Sequence, residues 1–540
     1  MMKKKLNWLL YETHRWLGIV LAVFMFGWFF SGLAIMYAKP AATSLVEQRF
    51  HAETLTLEVG WLSVGEAWNR SAEQRKRLVE QQRSAKKPEG NATVGQGTKD
   101  IALNIADARL LRRAGQPVWL VEDTLGRYHA LSAIDGSLLQ FNPEQAVHIA
   151  RQWLMAEGAS DVGEFQFVET LDKTTLLRNR DAFSPFHKVV DPYGRQWLIS
   201  ARTGDVLHAS DRVERALYYA GNWLHLFKPL EDLGLGEYRH AVQLWSGFGA
   251  TIACLTGLII GWLRWRPGFG GKPTYSQGRT QPYRENWAKW HFWSGLIGGT
   301  LALTWSLSGY LDTNPGQLIS EANPTRAELA RYLGGTVPDA LSNWQPAPYK
   351  ENLGLVELNW RRLDDTAVLI GYDRDGQRLQ QTVPGTAEKF VESELLAAIQ
   401  RLAGDVSVGQ QTWLEDYDHY YYPRHHQGLR DKPLPVLRVE LADTADSYYY
   451  LDPQDGKLLL QVDSSRRVMR WLYSALHHWD FGWLYYRPVW DVWMLVWVGF
   501  GVVLGASSVV TGWRRLQKTF KFKKPVPVPA PAELATETNH

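Results

Sequence analysis

Residues 16–37 read WLGIVLAVFMFGWFFSGLAIMY. A helix crosses a bilayer with about 20 such apolar residues. Lys3 to Lys5 flank the run as in a signal peptide. The run is longer than a typical signal core, however, and no A-x-A cleavage site follows closely, so it reads as a retained anchor. Outward along the chain, 241–262, 292–310 and 492–513 have the same character. The expectation is an α-helical membrane protein: a four-helix transmembrane bundle with a two-fold internal repeat, carrying two large α+β loop domains.

The bulk composition agrees with a few spans and much soluble mass. Charged residues make up 21% of the chain and the mean hydropathy is −0.28, too polar for a chain wholly in lipid. The 26 Trp and 23 Tyr suit membrane–water interfaces, where one end of the ring is wet. A net charge of +3 creates no field that points to nucleic acid. The only cysteine is Cys254, which excludes disulfides, thiolate metal cages and iron–sulfur clusters within the chain. C-x-x-C-H is also absent, and with it covalent haem attachment.

Lys and Arg next to the spans predict orientation. Lys3, Lys4, Lys5 and Arg15 precede the first span. Arg264, Arg266, Lys272, Arg279, Arg284 and Lys289 fill the loop between the second and third, and Arg514, Arg515, Lys518, Lys521, Lys523 and Lys524 follow the fourth. All three clusters are expected on the cytoplasmic side, with both termini inside and both long loops outside, in a bacterial inner membrane. The tail PVPVPAPAELATETNH is Pro-rich and reads as disordered.

The two halves repeat. GFGAT at Gly247 echoes GFGVV at Gly499, 252 residues on, and the same shift takes Gly204 to Gly456, Arg215 to Arg467 and His225 to His477. HRWLGIVL at His14 echoes HFWSGLIG at His291 with a shift of 277. Residues at matching positions should then face each other across a pseudo-twofold axis. Within the loops, EQAVHIARQWLMAE (144–157) places Ala146, Ile149, Ala150, Trp153 and Leu154 on one helical face. VWLVED, YHALSAI and QWLISA read as strands, as do LPVLRVEL, SYYYLDP and KLLLQVD after the helix ESELLAAIQRLAG.

Ionisable side chains at membrane helices are costly and usually functional, and imidazole is the usual axial ligand of non-covalent haem. Two repeat-matched histidine pairs lie at span ends: His14 with His291 at the inner face, and His225 with His477 at the outer. A lone interfacial histidine among Trp and Arg reads more simply as an anchor. Two matched pairs at two depths favour ligation of two b-type haems. His240 and His478 are alternative ligands, although symmetry gives His240 no mate. The loop DYDHYYYPRHHQG (416–428) offers Tyr420, Tyr422, Arg424 and His425 as contacts for an iron chelate. Its alternating aromatics read more simply as sheet packing, with the rest a polar loop.

HRWLGI, RWLYSALHHWDF, RPVWD and YYYPRHHQGLRDKPLPVLRVE resemble the PepSY-associated transmembrane family over nearly the whole chain. The resemblance implies PepSY-like periplasmic domains at 39–210 and 312–463. Around them the apolar runs and basic clusters place a first span within 1–38, a second within 211–265 and a cytoplasmic loop at 266–289. The third span would lie at 290–311, the fourth within 464–514, and the cytoplasmic tail at 515–540. The resemblance also implies a relation to di-haem ferric siderophore reductases, with His14, His291, His225 and His477 as haem ligands. The expected function is one-electron reduction of a periplasmic ferric siderophore or other Fe(III) chelate. No G-x-G-x-x-G opens a helix, so the donor, a quinol or a cytoplasmic flavin reductase, is expected to be separate. The alternatives are a membrane-anchored PepSY regulator without redox activity, or a transporter of haem or an iron chelate.

Overall fold

Hydrophobic alternation with a period of two builds the sheets. The computed structural model describes residues 2–85, 105–159, 163–178, 180–321, 323–348, 354–381, 383–424 and 431–520. In the first half the strands are β1 (Ile105–Arg113), β2 (Gln116–Asp123), β3 (Tyr128–Ser132), β4 (Leu138–Leu139), β5 (Gln166–Leu171), β6 (Phe186–Val190), β7 (Gln196–Ser200) and β8 (Val206–Ser210). In the second they are β9 (Leu355–Leu363), β10 (Thr366–Asp373), β11 (Arg378–Gln381), β12 (Val408–Leu414), β13 (Val436–Leu441), β14 (Tyr448–Leu451) and β15 (Leu458–Val462). Successive side chains of a strand point to opposite faces. Leu110, Trp119, Val121, Leu358 and Trp360 therefore join one core with Trp61, Val64 and Trp68. Leu111, Val118 and Leu120 join a second core on the other face.

The loops do not form two separate PepSY-like domains, and this corrects the expectation. One sheet of seven strands, in the order β11-β10-β9-β1-β2-β3-β4, draws on both halves. Its seam is the antiparallel pair β1–β9, in which Arg109 lies opposite Asn359 and Leu110 opposite Leu358. A shift of 250 residues carries Arg109 onto Asn359, so the seam pairs a strand with its own repeat. An edge strand left unpaired offers a row of free N–H and C=O groups; joining the repeats removes that edge from both. Each half adds a four-stranded sheet, β5-β6-β7-β8 or β12-β13-β14-β15. Helix Pro143–Ala156 buries Ala146, Ile149, Ala150, Trp153 and Leu154, the predicted face, against Val189, Trp197 and Ile199 of one such sheet. Helix Glu392–Ala403 does the same in the second half with Leu395, Ala398, Ile399 and Leu402.

Beside the seam lies a buried ion cluster. Arg49 donates to Glu357 at 2.7 Å, and Arg109 lies 3.5 Å from both Glu357 and Asp205. Arg113 donates to Asp205 at 2.9 Å. Burial works to raise the Glu357 carboxyl, but Arg49 and Arg109 prevail and hold it at about 2.

The chain divides into two compact units. One comprises Ala34–His240 and Leu311–Trp490, and the other Met1–Leu33, Ala241–Tyr310 and Asp491–His540. The expected four-helix transmembrane bundle is also corrected. Among the described residues three helices are long and apolar enough to cross a membrane: Lys4–Ile35, Gly236–Arg264 and Val489–Phe520. The expected third span lies within helix Asn286–Asp312, NWAKWHFWSGLIGGTLALTWSLSGYLD. Its tryptophans, serines, threonines and glycines leave it less apolar than the other three. It packs closely in the same unit: a Cβ on Gly298 would meet Phe500 at 2.8 Å, and one on Gly299 would meet Leu258 at 2.8 Å. Small residues allow this kind of backbone approach.

Candidate functional site

His14 lies in helix Met2–Ile35 and His291 in helix Asn286–Asp312. Their ring centres are 6.2 Å apart, with 43° between the planes. His14 Nδ1 lies 3.0 Å from the carbonyl of Ala253. A carbonyl only accepts, so Nδ1 carries the proton and Nε2 keeps its lone pair. His291 Nδ1 lies 3.2 Å from Ser508 Oγ. That hydroxyl donates to the Leu504 carbonyl at 2.7 Å, so it accepts from His291 and selects the same tautomer. Thr256 Oγ1, 3.4 Å from His14 Nδ1, is the repeat mate of Ser508: the 252-residue shift joins them. Fixing one ring nitrogen with a protein acceptor is how metal-binding imidazoles are oriented.

These two rings line a cavity of about 500 Å³, within the roughly 300–1,000 Å³ of small-molecule and cofactor sites. Its walls are mostly apolar, with Gly18, Gly257, Gly295 and Gly299 among them. Gly257 lies directly against His14: a Cβ there would sit 2.7 Å from Cε1.

The second pair sits in the other unit, and its rings are 6.3 Å apart at 81°. Both segments wind as π-helical turns, Tyr219–Trp223 before His225 and Arg470–His478 around His477. Such turns are rare and often mark functional sites. A bulky residue in the left-handed region follows each, Phe227 at φ 53° and Trp479 at φ 55°. These are again 252 residues apart. Left-handed backbone at bulky residues persists only where its surroundings impose it. A polar clasp spans each turn. Arg470 Nη1 donates to Asp480 Oδ1 at 2.9 Å and Nη2 to the Asp480 carbonyl at 2.9 Å. At the matching positions Lys228 donates to Tyr218 Oη at 2.8 Å. Burial pushes the Lys228 amine below its ordinary value.

The other predicted residues fall elsewhere. His240 is exposed and its Nε2 lies 2.9 Å from the Thr313 carbonyl; symmetry had given it no mate. His478 meets His477 and Tyr473 edge-on, while Tyr473 stacks on His477 at 5.0 Å. Tyr422 is buried and donates to Asp480 at 2.6 Å, so its hydroxyl belongs to the clasp rather than to an open surface. Tyr420 packs against the core around Tyr421 and Tyr450. Arg424 donates to Ser474 at 3.2 Å. His425 lies outside the described residues. The clasps, the π-turns and the Thr256/Ser508 pair were not foreseen, although the 252-residue shift points to each of them.

Two imidazoles that share one metal hold it at about 2 Å and have ring centres about 1 Å beyond each nitrogen, hence about 6 Å apart. Both pairs meet that spacing. Among the described residues no group of three or more His, Cys, Asp or Glu forms a metal cage. The His14/His291 spacing and the mostly apolar cavity beside it would admit a planar macrocycle such as haem. No curated protein matches the chain. The model of the PepSY-associated TM region matches residues 11–393, and the chain belongs to that family.

Proposed function

We propose that this membrane protein is a b-type di-haem oxidoreductase of the inner membrane. It would pass electrons to a periplasmic ferric siderophore or other Fe(III) chelate, and so act as a ferric-chelate reductase. The observation that supports it is the recurrence of one imidazole spacing, 6.2 and 6.3 Å, at two repeat-matched sites. Haem supplies one-electron chemistry when bound. The chain's own part is to present Nε2 lone pairs. His14 and His291 do so because Ala253 and Ser508 occupy their other nitrogens. His225 and His477 are carried on turns clasped by Lys228 and Asp480. Hard oxygen chelators hold Fe(III) far more tightly than Fe(II), so one electron releases the metal. The donor would be a quinol or a separate cytoplasmic flavin reductase.

The test is spectroscopic. Purified protein should be red with a low-spin bis-imidazole spectrum and two haems per chain. His14→Ala and His291→Ala should each remove about half of that signal, and membrane vesicles supplied with a donor should reduce ferric chelates. Colourless protein after reconstitution, or full haem loading in both variants, would end the proposal.

A further inference from the structure

The cavity beside His14 and His291 is charged unevenly. Arg15, Arg264 and Arg515 line it, and Glu12 is the one acidic side chain on its wall. Glu12 is already paired with Arg15, which leaves an excess of two positive charges. Arg264 is held in place without being neutralised. Its Nε donates to Tyr11 Oη at 3.3 Å and its Nη1 to Tyr283 Oη at 2.5 Å, and the guanidinium lies 4.7 Å from the centre of the Tyr11 ring. Among the described residues it has no acidic partner, and its Nη2 makes no hydrogen bond. A guanidinium fixed by neutral phenols, with donors to spare at the edge of a cavity, is an anion site in waiting: its remaining N–H groups match the fork of a carboxylate.

Its position is also telling. Gly257 touches the His14 ring, and Arg264 follows seven residues later on the same helix, about 10 Å along the axis. Arg264, Gly257 and both imidazoles line one cavity, so the guanidinium faces the same space as the imidazole pair. We propose that Arg264, clamped by Tyr11 and Tyr283, anchors a propionate carboxylate of the porphyrin held at His14 and His291, with Arg515 supplying further positive field. This assignment rests on the haem reading of that cavity. It adds a recognition rule: the site selects a tetrapyrrole with free carboxylates.

The experiment compares iron protoporphyrin with its dimethyl ester, titrated into full-length apoprotein in detergent and in vesicles. The readouts are the bis-imidazole absorbance and the rate of porphyrin loss to a scavenger. The unmodified protein should favour the free acid over the ester by about tenfold, the scale of one charge-assisted hydrogen bond. R264Q should abolish that preference, whereas R264K should keep part of it. Equal binding of acid and ester by the unmodified protein overturns the assignment, as does a preference untouched in R264Q. Should R264Q fail to fold, the acid–ester comparison on the unmodified protein decides alone. If the arginine serves lipid phosphate instead, R264Q will weaken binding only in phosphatidylglycerol vesicles and leave the acid preference intact, which also overturns it. If neither porphyrin gives the bis-imidazole signal, the haem reading falls, and this inference with it.

Discussion

Gly257 is where a single atom matters most. Its missing side chain makes room for the His14 ring, and a Cβ there would press to 2.7 Å on Cε1, closer than non-bonded carbons approach. Gly257→Ala must therefore turn the imidazole or displace the helix, although alanine is the better helix former by about 1 kcal/mol. On the proposed haem reading, we expect the variant to fold, to lose at least half of the low-spin signal of the His14/His291 cavity, and to leave the His225/His477 site unchanged. Haem stoichiometry with a magnetic resonance spectrum checks this; full loading with an unshifted signal would contradict it. The histidines themselves were legible from the sequence because imidazoles beside apolar spans are costly and therefore conspicuous. Their tautomers were not, because the acceptors Ala253 and Ser508 lie on other helices and carry no signal of their own.

The clasped π-turn is the unit of interest among the elements. Arg470 and Asp480 are both nearly buried, with side chains 9% and 1% exposed. Removing one partner from a buried pair leaves an uncompensated charge, which costs about 3–5 kcal/mol. Asp480→Asn keeps the shape and removes the charge. It should lower the melting temperature and broaden the spectral signature of the His477 site while sparing His14 and His291. A double variant, Arg470→Met with Asp480→Asn, should cost less than the two single changes together, because neither charge is left alone. Thermal unfolding, followed at the two haem signals that the proposed function expects, distinguishes these outcomes; equal loss at both sites would mean the clasp is a general support rather than a local one. The π-turn was hidden in the sequence because RWLYSALHHW reads as an ordinary amphipathic segment. Only the left-handed φ of Trp479 and the reach of Arg470 to Asp480 reveal the extra residue in the turn.

The unit of Ala34–His240 and Leu311–Trp490 joins its two halves through a shared sheet and an ion cluster. Glu357, on β9, is held by Arg49 and Arg109 from the other half of the chain, and its folded value of about 2 lies below its ordinary 4.5. A depressed carboxylate contributes stability that is fully present above the ordinary value and lost as pH falls from 4.5 toward 2. The unit should therefore weaken steeply over that window. Glu357→Gln should flatten the dependence while lowering stability at neutral pH, since Arg49 would lose its partner. Melting temperature measured from pH 2 to 7 tests the sign; an unchanged slope in Glu357→Gln would place the acid-sensitive group elsewhere.

By itself the sequence determined the local elements and the symmetry. The helix that buries Trp153 and Leu154, the strands around Trp119, Trp197 and Tyr450, and the repeat that links His225 to His477 are all written in spacing, because apolar periodicity and internal similarity are local properties of a chain. The tertiary structure decided how the halves combine. Strand pairing is satisfied by any edge of suitable register, so nothing in β1 names β9 as its neighbour until Arg109 and Asn359 meet across the seam. The tertiary structure also drew the two rings of each histidine pair to a common spacing, which depends on which helices pack together and not on any one of them.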